Sequence, residues 1–139
     1  MSLPLIPTGG SVSVATLFSG KPVDAIWSYS GGSWVSPTTM VDGKGYWVHM
    51  TAASSITLSG VVNPNPPQTP PTYSVVTGWN LMGFKSTCAR TAGSYLSGVP
   101  YVRIWGFADG AWRAIQSADK MQAGLGYWIA ATGAGTIYP

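Results

Sequence analysis

Carboxylate chemistry is the first possibility that the residue types raise, and the sequence gives it little support. Four aspartates carry all the side-chain negative charge of this 139-residue chain, which contains no glutamate. Hydrolysis of sugars typically uses a pair of nearby carboxyl groups, and Ca²⁺ takes roughly six to eight oxygen ligands. No pair is close in the sequence; the four are Asp24, Asp42, Asp109 and Asp119. Asp42 and Asp109 precede glycines and are interpreted as turn residues.

The single histidine and the single cysteine offer no catalytic or metal-binding pattern. A triad or a zinc site needs partners that the sequence does not place beside His49. His49 is therefore interpreted as a strand-face residue, and Cys88 as a small buried hydrophobe without an intrachain disulfide. The sequence predicts that the protein is not an enzyme, with no catalytic residues, no metal site and no cofactor.

A glycine pair occurs twice, as Gly43-Lys44-Gly45 and as Gly124-Leu125-Gly126. Two glycines at this spacing also begin the dinucleotide-binding fingerprint, but that fingerprint must open a helix. Here each pair runs into a Tyr-Trp strand. A turn with close backbone packing is the better interpretation.

Tryptophan is the residue type most able to bind a ligand in this chain, which has seven of them. Exposed Trp and Tyr rings stack on the apolar faces of sugars and are common at protein interfaces. The candidate ligand-binding residues are Trp47, Trp128 and Trp79. Trp47 and Trp128 alternate with Tyr and aliphatic residues, so they point away from these neighbours, but the pattern leaves open which face is buried. A competing and favoured interpretation places the tryptophans in the core, because a small module has few aliphatic residues to bury.

Charge and hydropathy exclude two classes of partner. Charged residues make up 8% of the chain, and seven scattered Lys and Arg residues give a net charge of +3. Nucleic-acid binding needs clustered cations, so it is not expected. No stretch approaches the roughly 20 apolar residues that span a bilayer, so membrane insertion is not expected either.

Internal repetition is the strongest pattern in the chain. Residues 17–22 align with residues 95–100, and residues 43–48 align with residues 124–129. This predicts a first module at 1–62 and a second at 73–139. Between them, residues 63–72 contain five prolines and are predicted to be a semi-rigid linker. A long internal loop of one domain remains the alternative.

Strand and turn signals predict the elements of each module. Residues 73–84 are predicted as a first strand and residues 91–98 as a short helix. A hairpin follows across Asp109-Gly110, matched by Gly31-Gly32 in the first module. Residues 126–132 and 136–138 are predicted to form a second hairpin, matched by 45–51 and 55–58. The predicted fold is all-β, with two tandem small antiparallel modules, sandwich- or barrel-like, and a short helix in each.

The two-residue turns also fix which aromatic residues face each other. Tyr29 is predicted to lie opposite Trp34, and Phe107 opposite Trp112. Trp27 and Trp105 fall on the same faces, one step back along their strands. The same aromatic cluster is therefore predicted in both modules, where cross-strand pairs contribute about 0.2–1 kcal/mol each.

These motifs together resemble a tandem repeat module of secreted and cell-surface proteins of bacteria and archaea. Its recurring text is a GWNL strand, a W-x-Y hairpin and a closing G-x-GYW strand. The matching residues here are Gly78-Trp79-Asn80-Leu81, Ile104-Trp105, Gly110-Ala111-Trp112 and Gly124-Leu125-Gly126-Tyr127-Trp128. The resemblance implies a non-catalytic extracellular or cell-surface accessory module that acts in binding, spacing or assembly. The alternative is a carbohydrate-binding module of a larger secreted enzyme. A glycan or a surface protein is the expected partner.

The first module departs from this pattern because it lacks the Gly-Trp-Asn opening. Residues 2–7 are similar to the end of such a strand, so the chain is expected to begin inside it. An unpaired strand edge would result, and proteins usually cover such edges. We expect residues 2–7, the linker or another chain to cover it, the last by self-association.

Overall fold

The computed structural model describes residues 1–62 and 69–139, so most of the predicted linker, residues 63–68, lies outside the described residues. The fold is all-β, as predicted, with a four-residue helix in each half. The first half (residues 1–62) contains β1 (Ile6–Pro7), β2 (Val12–Ser13), α1 (Val14–Leu17), β3 (Val23–Ser30), β4 (Ser33–Val35), β5 (Thr39–Met40), β6 (Trp47–Met50) and β7 (Gly60–Val61). The second half (residues 69–139) contains β8 (Tyr73–Val75), β9 (Gly78–Gly83), β10 (Arg90–Thr91), α2 (Ala92–Tyr95), β11 (Tyr101–Ala108), β12 (Ala111–Ala114), β13 (Lys120–Met121), β14 (Gly126–Ala131) and β15 (Gly135–Ile137).

Two antiparallel sheets dominate the described residues. The second half has a four-stranded sheet in the order β12-β11-β14-β9, and the first half has a three-stranded sheet in the order β4-β3-β6. The remaining strands form two-stranded pairs. None of the sheets among residues 1–62 and 69–139 closes on itself, so the barrel-like form of the prediction is wrong.

From β2 and from β10 onwards, the two halves contain the same series of elements in the same order: a short strand, a helix and five strands. One strand, β1, precedes this series in the first half, and two strands, β8 and β9, precede it in the second. Strands β3 and β11 each have eight residues, and each has a bulge after its first residue, at Val23/Ala25 and at Tyr101/Arg103. A close match over residues 17–58 and 95–138 stays a prediction, to be checked by superposing the two segments.

The aromatic hairpins have the predicted register. Tyr29 lies opposite Trp34, and Phe107 lies opposite Trp112. The turn residues Asp109 and Gly110 have φ values of 53° and 75°, as a type I′ turn requires. The hairpin predictions for both halves are therefore confirmed.

Gly110→Ala is expected to lower the free energy of unfolding by about 1–2 kcal/mol, because an L side chain is strained at this φ. An added methyl group would meet no atom within 4 Å, so the cost comes from the backbone alone. Urea denaturation measures the change. As a control, Asp109→Gly relieves strain at the preceding position and is expected to leave stability equal or higher. Wild-type stability for Gly110→Ala would mean that the turn has another conformation.

The second predicted hairpin is wrong, because β14 and β15 do not pair with each other. β14 pairs with β11 on one side and with β9 on the other, whereas β15 pairs with β8. β14 and β15 are consecutive segments of one long bent strand. This strand pairs antiparallel with a second bent strand, which is formed by β8 and β9. In the first half, residues 55–58 form no strand.

The buried Asn80 side chain explains why the predicted first strand, 73–84, is split into β8 and β9. Its Oδ1 accepts a hydrogen bond from the Val76 N–H at 3.1 Å, and its Nδ2 donates to the Val76 and Gly78 carbonyls at 2.7 and 3.0 Å. These bonds satisfy backbone groups that leave the ladder at the bend. Gly78, with φ of 99°, supplies the conformation that the bend needs.

Each half has its own hydrophobic core, and no tryptophan belongs to either. The second core is formed by aliphatic, Met, Phe and Tyr side chains between Val75 and Ile137, and the first by similar side chains between Leu3 and Tyr46. Tyr46, Tyr95 and Tyr127 supply much of the buried aromatic area. The interpretation of the tryptophans as core residues is therefore wrong.

The halves interlock through their glycine pairs. The Gly45 N–H donates to the Leu81 carbonyl at 3.1 Å, and the Gly83 N–H donates to the Gly43 carbonyl at 3.0 Å. The mirror contact joins the Ser2 N–H to the Gly124 carbonyl at 2.8 Å. A Cβ at Gly45 would lie 2.7 Å from the Leu81 side chain, and one at Gly126 would lie 3.0 Å from the Met1 carbonyl oxygen. The expected close packing is therefore confirmed at the second glycine of each pair, whereas a Cβ at Gly124 would meet no atom within 4 Å.

Tyr73 and Asp42 add a side-chain contact between the halves. The Tyr73 hydroxyl donates a hydrogen bond to the Asp42 carboxylate, and the Tyr73 ring lies directly on Gly43. Burial, reinforced by the hydrogen bond to Asp42, raises the pKa of Tyr73 above its ordinary value. The hydroxyl therefore stays protonated and can donate this bond at neutral pH.

Candidate ligand-binding face

All seven tryptophans are at least partly exposed, and strand alternation puts them there. Along β3, Ile26 and Ser28 are buried, whereas Trp27 between them is 43% exposed. Along β14, Tyr127 and Ile129 are buried and Trp128 between them is half-buried. The face that the sequence left open is thereby assigned: Tyr and Ile point to the core, and Trp points outwards.

Rings from the two halves meet on this outward surface. Trp128 lies 5.0 Å from Tyr29, 5.5 Å from Trp34 and 6.1 Å from Trp79 between ring centroids, each edge to face. We call the surface formed by the seven tryptophans with Tyr29 and Phe107 the tryptophan face. Because Tyr29 and Trp34 belong to the first half, Trp128 joins the two sheets into one aromatic surface.

Trp47, which aligns with Trp128, makes the equivalent contacts from the first half to the second. Its centroid lies 4.8 Å from that of Phe107 and 5.5 Å from that of Trp112, with the latter ring stacked at 19°. Such pairs contribute about 0.5–1.5 kcal/mol each beyond the area they bury. Part of the tryptophan face thus stabilises the docking of the halves, while the outer surfaces of the rings remain exposed.

Two neighbouring clefts lie on the tryptophan face. One has a volume of about 470 Å³ and is lined by Trp27, Trp34, Trp47, Trp112 and Trp128. The other has a volume of about 560 Å³ and is lined by Tyr29, Trp79, Trp105, Trp112 and Trp128. Within the part of the chain that the structure describes, the residues lining the two clefts are all aromatic. The clefts can hold flat apolar ligand faces by stacking.

The predicted binding residues lie together on this face. Trp47 and Trp128 are half-buried between the sheets, and Trp79 is 47% exposed on β9. Sequence reasoning missed Trp34 and Trp112, which are both 50% exposed. The sequence did contain the information needed to find them, because the predicted hairpin registers place both residues on one face of their sheets.

His49 has a partner that sequence reasoning did not find. Its Nδ1 lies 2.6 Å from the Asp24 Oδ1 at the surface, where β6 pairs with β3 next to the bulge. The bulge re-aims Asp24, which explains why spacing alone missed the pair. Among residues 1–62 and 69–139, no group of three or more His, Cys, Asp or Glu residues is placed to hold a metal ion.

Cys88 is exposed, so its interpretation as a buried hydrophobe is wrong. It lies in the loop between β9 and β10, where its N–H donates to the Ser86 Oγ at 3.1 Å. Lys85, by contrast, is buried, and its Nζ donates to the Val62 carbonyl. Burial lowers the pKa of Lys85.

No family model, curated protein or solved structure matches this chain. The resemblance to the GWNL repeat module therefore stays a prediction. In the part of the chain that the structure describes, no helix is long and apolar enough to cross a membrane.

Proposed function

We propose that this chain is a non-catalytic binding module of an extracellular or cell-surface protein and that its ligand lies on the tryptophan face. The observation that carries the proposal is the exposure of all seven tryptophans on one surface shared by both halves. Contiguous exposed apolar surface is uncommon on monomeric proteins and marks interaction sites. A pure spacer has no need of such a surface.

Carbohydrate is the ligand class that the clefts favour. Pyranose rings present flat apolar C–H surfaces, which stack on indole rings, and the two clefts offer indole walls on several sides. The clefts share Trp112 and Trp128, so an extended glycan can contact both. Low charge and the resemblance to secreted modules support an extracellular setting. Protein assembly is the second candidate, because exposed Trp also dominates many protein interfaces.

A glycan array probed with the whole chain tests the proposal. We expect binding to a subset of glycans, and we expect Trp112→Ala to weaken it at least tenfold, which corresponds to about 1.4 kcal/mol. The melting temperature should fall as well, because Trp112 also packs on Trp47 and Phe107, so binding is measured at a temperature where the variant is fully folded. Tyr138→Ala is the matched control, because Tyr138 is an exposed aromatic residue that lines neither cleft.

Two outcomes would redirect the proposal. An array without hits would contradict the carbohydrate assignment. Concentration-dependent oligomers in light scattering that Trp112→Ala abolishes would then establish assembly as the role of the face. Equal loss of glycan binding in Tyr138→Ala and Trp112→Ala would show that the tryptophan face is not the site.

A further inference from the structure

Strand β11 carries a charged residue on the same side of its sheet as its tryptophan. Ile104 and Gly106 are buried, and Arg103, Trp105 and Phe107 alternate with them. Alternate residues of a strand point to opposite faces of the sheet, so Arg103 shares the outward face with Trp105. The Arg103 side chain is exposed there.

The register of the four-stranded sheet places Arg103 in one row with Trp79. Arg103 lies opposite Ala130 of β14, and Ala130 lies opposite Trp79 of β9. Directly opposed residues share a face, and their Cβ atoms lie about 4.5–5.5 Å apart. The small Ala130 side chain therefore forms the floor of a trough about 10 Å wide, with Arg103 on one side and Trp79 on the other. We call this space the alanine trough.

The next row of the sheet joins the alanine trough to the tryptophan face. Trp105 and Trp128 lie opposite each other, two residues along their strands from Arg103 and Ala130. Two residues of a strand span about 6.5–7 Å, which is close to the length of one sugar unit. Trp105, Trp128 and Trp79 all line the second cleft. A sugar stacked in that cleft can therefore extend its neighbouring unit into the trough.

A more polar cleft lies on the other side of Trp105. It has a volume of about 460 Å³, and its lining includes Arg103, Trp105, Gln116 and Ser117. Amide and hydroxyl groups both donate and accept hydrogen bonds, as the hydroxyls of a sugar require. Arg103 thus stands where a stacking surface meets a hydrogen-bonding surface.

The positive charge of Arg103 is available to a ligand. Among residues 1–62 and 69–139, Arg103 forms no ion pair. Asp119 follows the residues that line the polar cleft, but its Oδ2 accepts a hydrogen bond from the Gln116 N–H at 2.8 Å. In the first half the aligned row holds Ala25 and His49, and His49 is paired with Asp24. The net charge of the chain, +3, also favours an anionic ligand.

We propose that Arg103 makes the tryptophan face selective for an acidic glycan, by binding the anionic group of a sugar unit that lies in the alanine trough. The inference rests on the proposed function, because the neighbouring sugar stacks on Trp105 and Trp128. The planar guanidinium donates paired hydrogen bonds to carboxylate or sulfate oxygens. Aromatic clefts also suit organic cations, but Arg103 repels them from this end of the face.

Matched glycan sets test the proposal on the whole chain. Each set contains a neutral oligosaccharide, its uronic acid counterpart and its sulfate ester counterpart. We expect an acidic member to bind about tenfold more tightly than the neutral member, as a charged hydrogen bond allows. Comparison of the two acidic members distinguishes a carboxylate from a sulfate. Raising the NaCl concentration from about 0.05 M to about 0.5 M should reduce the preference, because salt screens exposed charges.

Two arginine variants separate the site from the overall charge. Arg103→Gln is expected to abolish the preference for acidic glycans. Arg113→Gln is the matched control, because Arg113 lies opposite Gly106 on the other face of the sheet and its removal changes the net charge equally. This control should keep the preference. Both arginines are exposed, so neither change is expected to affect folding.

The outcomes distinguish this inference from the proposed function. Equal binding of neutral and acidic members would overturn the role of Arg103 and leave the proposed function standing, whereas an array without hits would contradict the proposed function itself. Equal loss of the preference in both variants would mean general attraction to positive charge and would overturn the site. Full competition by poly-L-glutamate at the same carboxylate concentration would also overturn it, because that polymer has the charge without the sugar rings.

Discussion

Tyr95→Ala is expected to lower the free energy of unfolding by about 3–5 kcal/mol, the usual cost of removing a buried aromatic side chain. Tyr95 is 1% exposed, and its ring packs edge to face on Phe84 at a centroid distance of 4.8 Å. Its hydroxyl accepts a hydrogen bond from the Lys85 N–H at 2.9 Å and donates one to the Gly83 carbonyl at 3.2 Å. The residue thus ties helix α2 to the end of β9. Urea denaturation at pH 7 measures the loss.

Tyr95→Phe separates the hydroxyl from the ring. It keeps the contact with Phe84 but leaves the Lys85 N–H without its partner, so we expect a loss of about 1–3 kcal/mol. A loss as large as that of Tyr95→Ala would mean that the ring contributes little. Wild-type stability for both variants would contradict the packing of this core.

Alkaline pH gives a second measurement on the same residue. Burial raises the pKa of Tyr95 to about 12, whereas the unfolded chain releases this proton near the ordinary value of 10.0. The unfolded state therefore gains stability relative to the folded state as pH rises from about 10 towards 12. Denaturation at pH 8 and pH 11 should show a smaller loss for Tyr95→Phe than for the wild type. An equal loss would mean that other groups, including the buried Tyr46 and Tyr127 with raised pKa values, carry the whole effect.

Local chemistry made the turns and the registers predictable. Gly31-Gly32 and Asp109-Gly110 tolerate positive φ at successive positions, and a two-residue turn leaves one possible register. Tyr29 opposite Trp34 and Phe107 opposite Trp112 follow from these facts alone. The short helices were predictable for the same reason, since they depend on neighbouring residues.

The pairing of the long bent strands, β8 with β15 and β9 with β14, was not predictable from local sequence. Whether β15 folds back on β14 or continues past a bend depends on β8, about 60 residues earlier in the chain, and on the side-chain hydrogen bonds of Asn80.

The position of the tryptophans was misjudged for a similar reason. Tyr46, Tyr95 and Tyr127 fill the cores with their hydroxyls bonded to backbone groups, so the volume argument for burying Trp fails. The alternation of side chains along each strand identified two faces of the sheet. Which face is buried depends on the elements that pack against the sheet, and local sequence does not specify these.

Gly43→Ala is expected to lower the free energy of unfolding by about 2–5 kcal/mol, through strain at its positive φ and overlap of the new methyl group with the Tyr73 ring. Gly124→Ala is the matched control, since its φ is also positive but no atom lies within 4 Å of the added group. We expect about 1–2 kcal/mol for the control, from backbone strain alone. In a Tyr73→Ala background, the cost of Gly43→Ala should fall to that of the control, and a double-mutant cycle measures the difference.

The same pair of variants tests whether the tryptophan face needs both halves. Tyr29 and Trp34 reach Trp128, and Trp47 reaches Trp112, only because the halves are docked at Gly43 and Gly45. Gly43→Ala is therefore expected to weaken ligand binding, although it changes no residue of the face. On titration with ligand, the blue shift or quenching of tryptophan fluorescence should be smaller for this variant than for the wild type. Gly124→Ala should leave binding unchanged. Full binding by Gly43→Ala, with the expected loss of stability, would show that one half binds the ligand alone and that the docking of the halves serves stability.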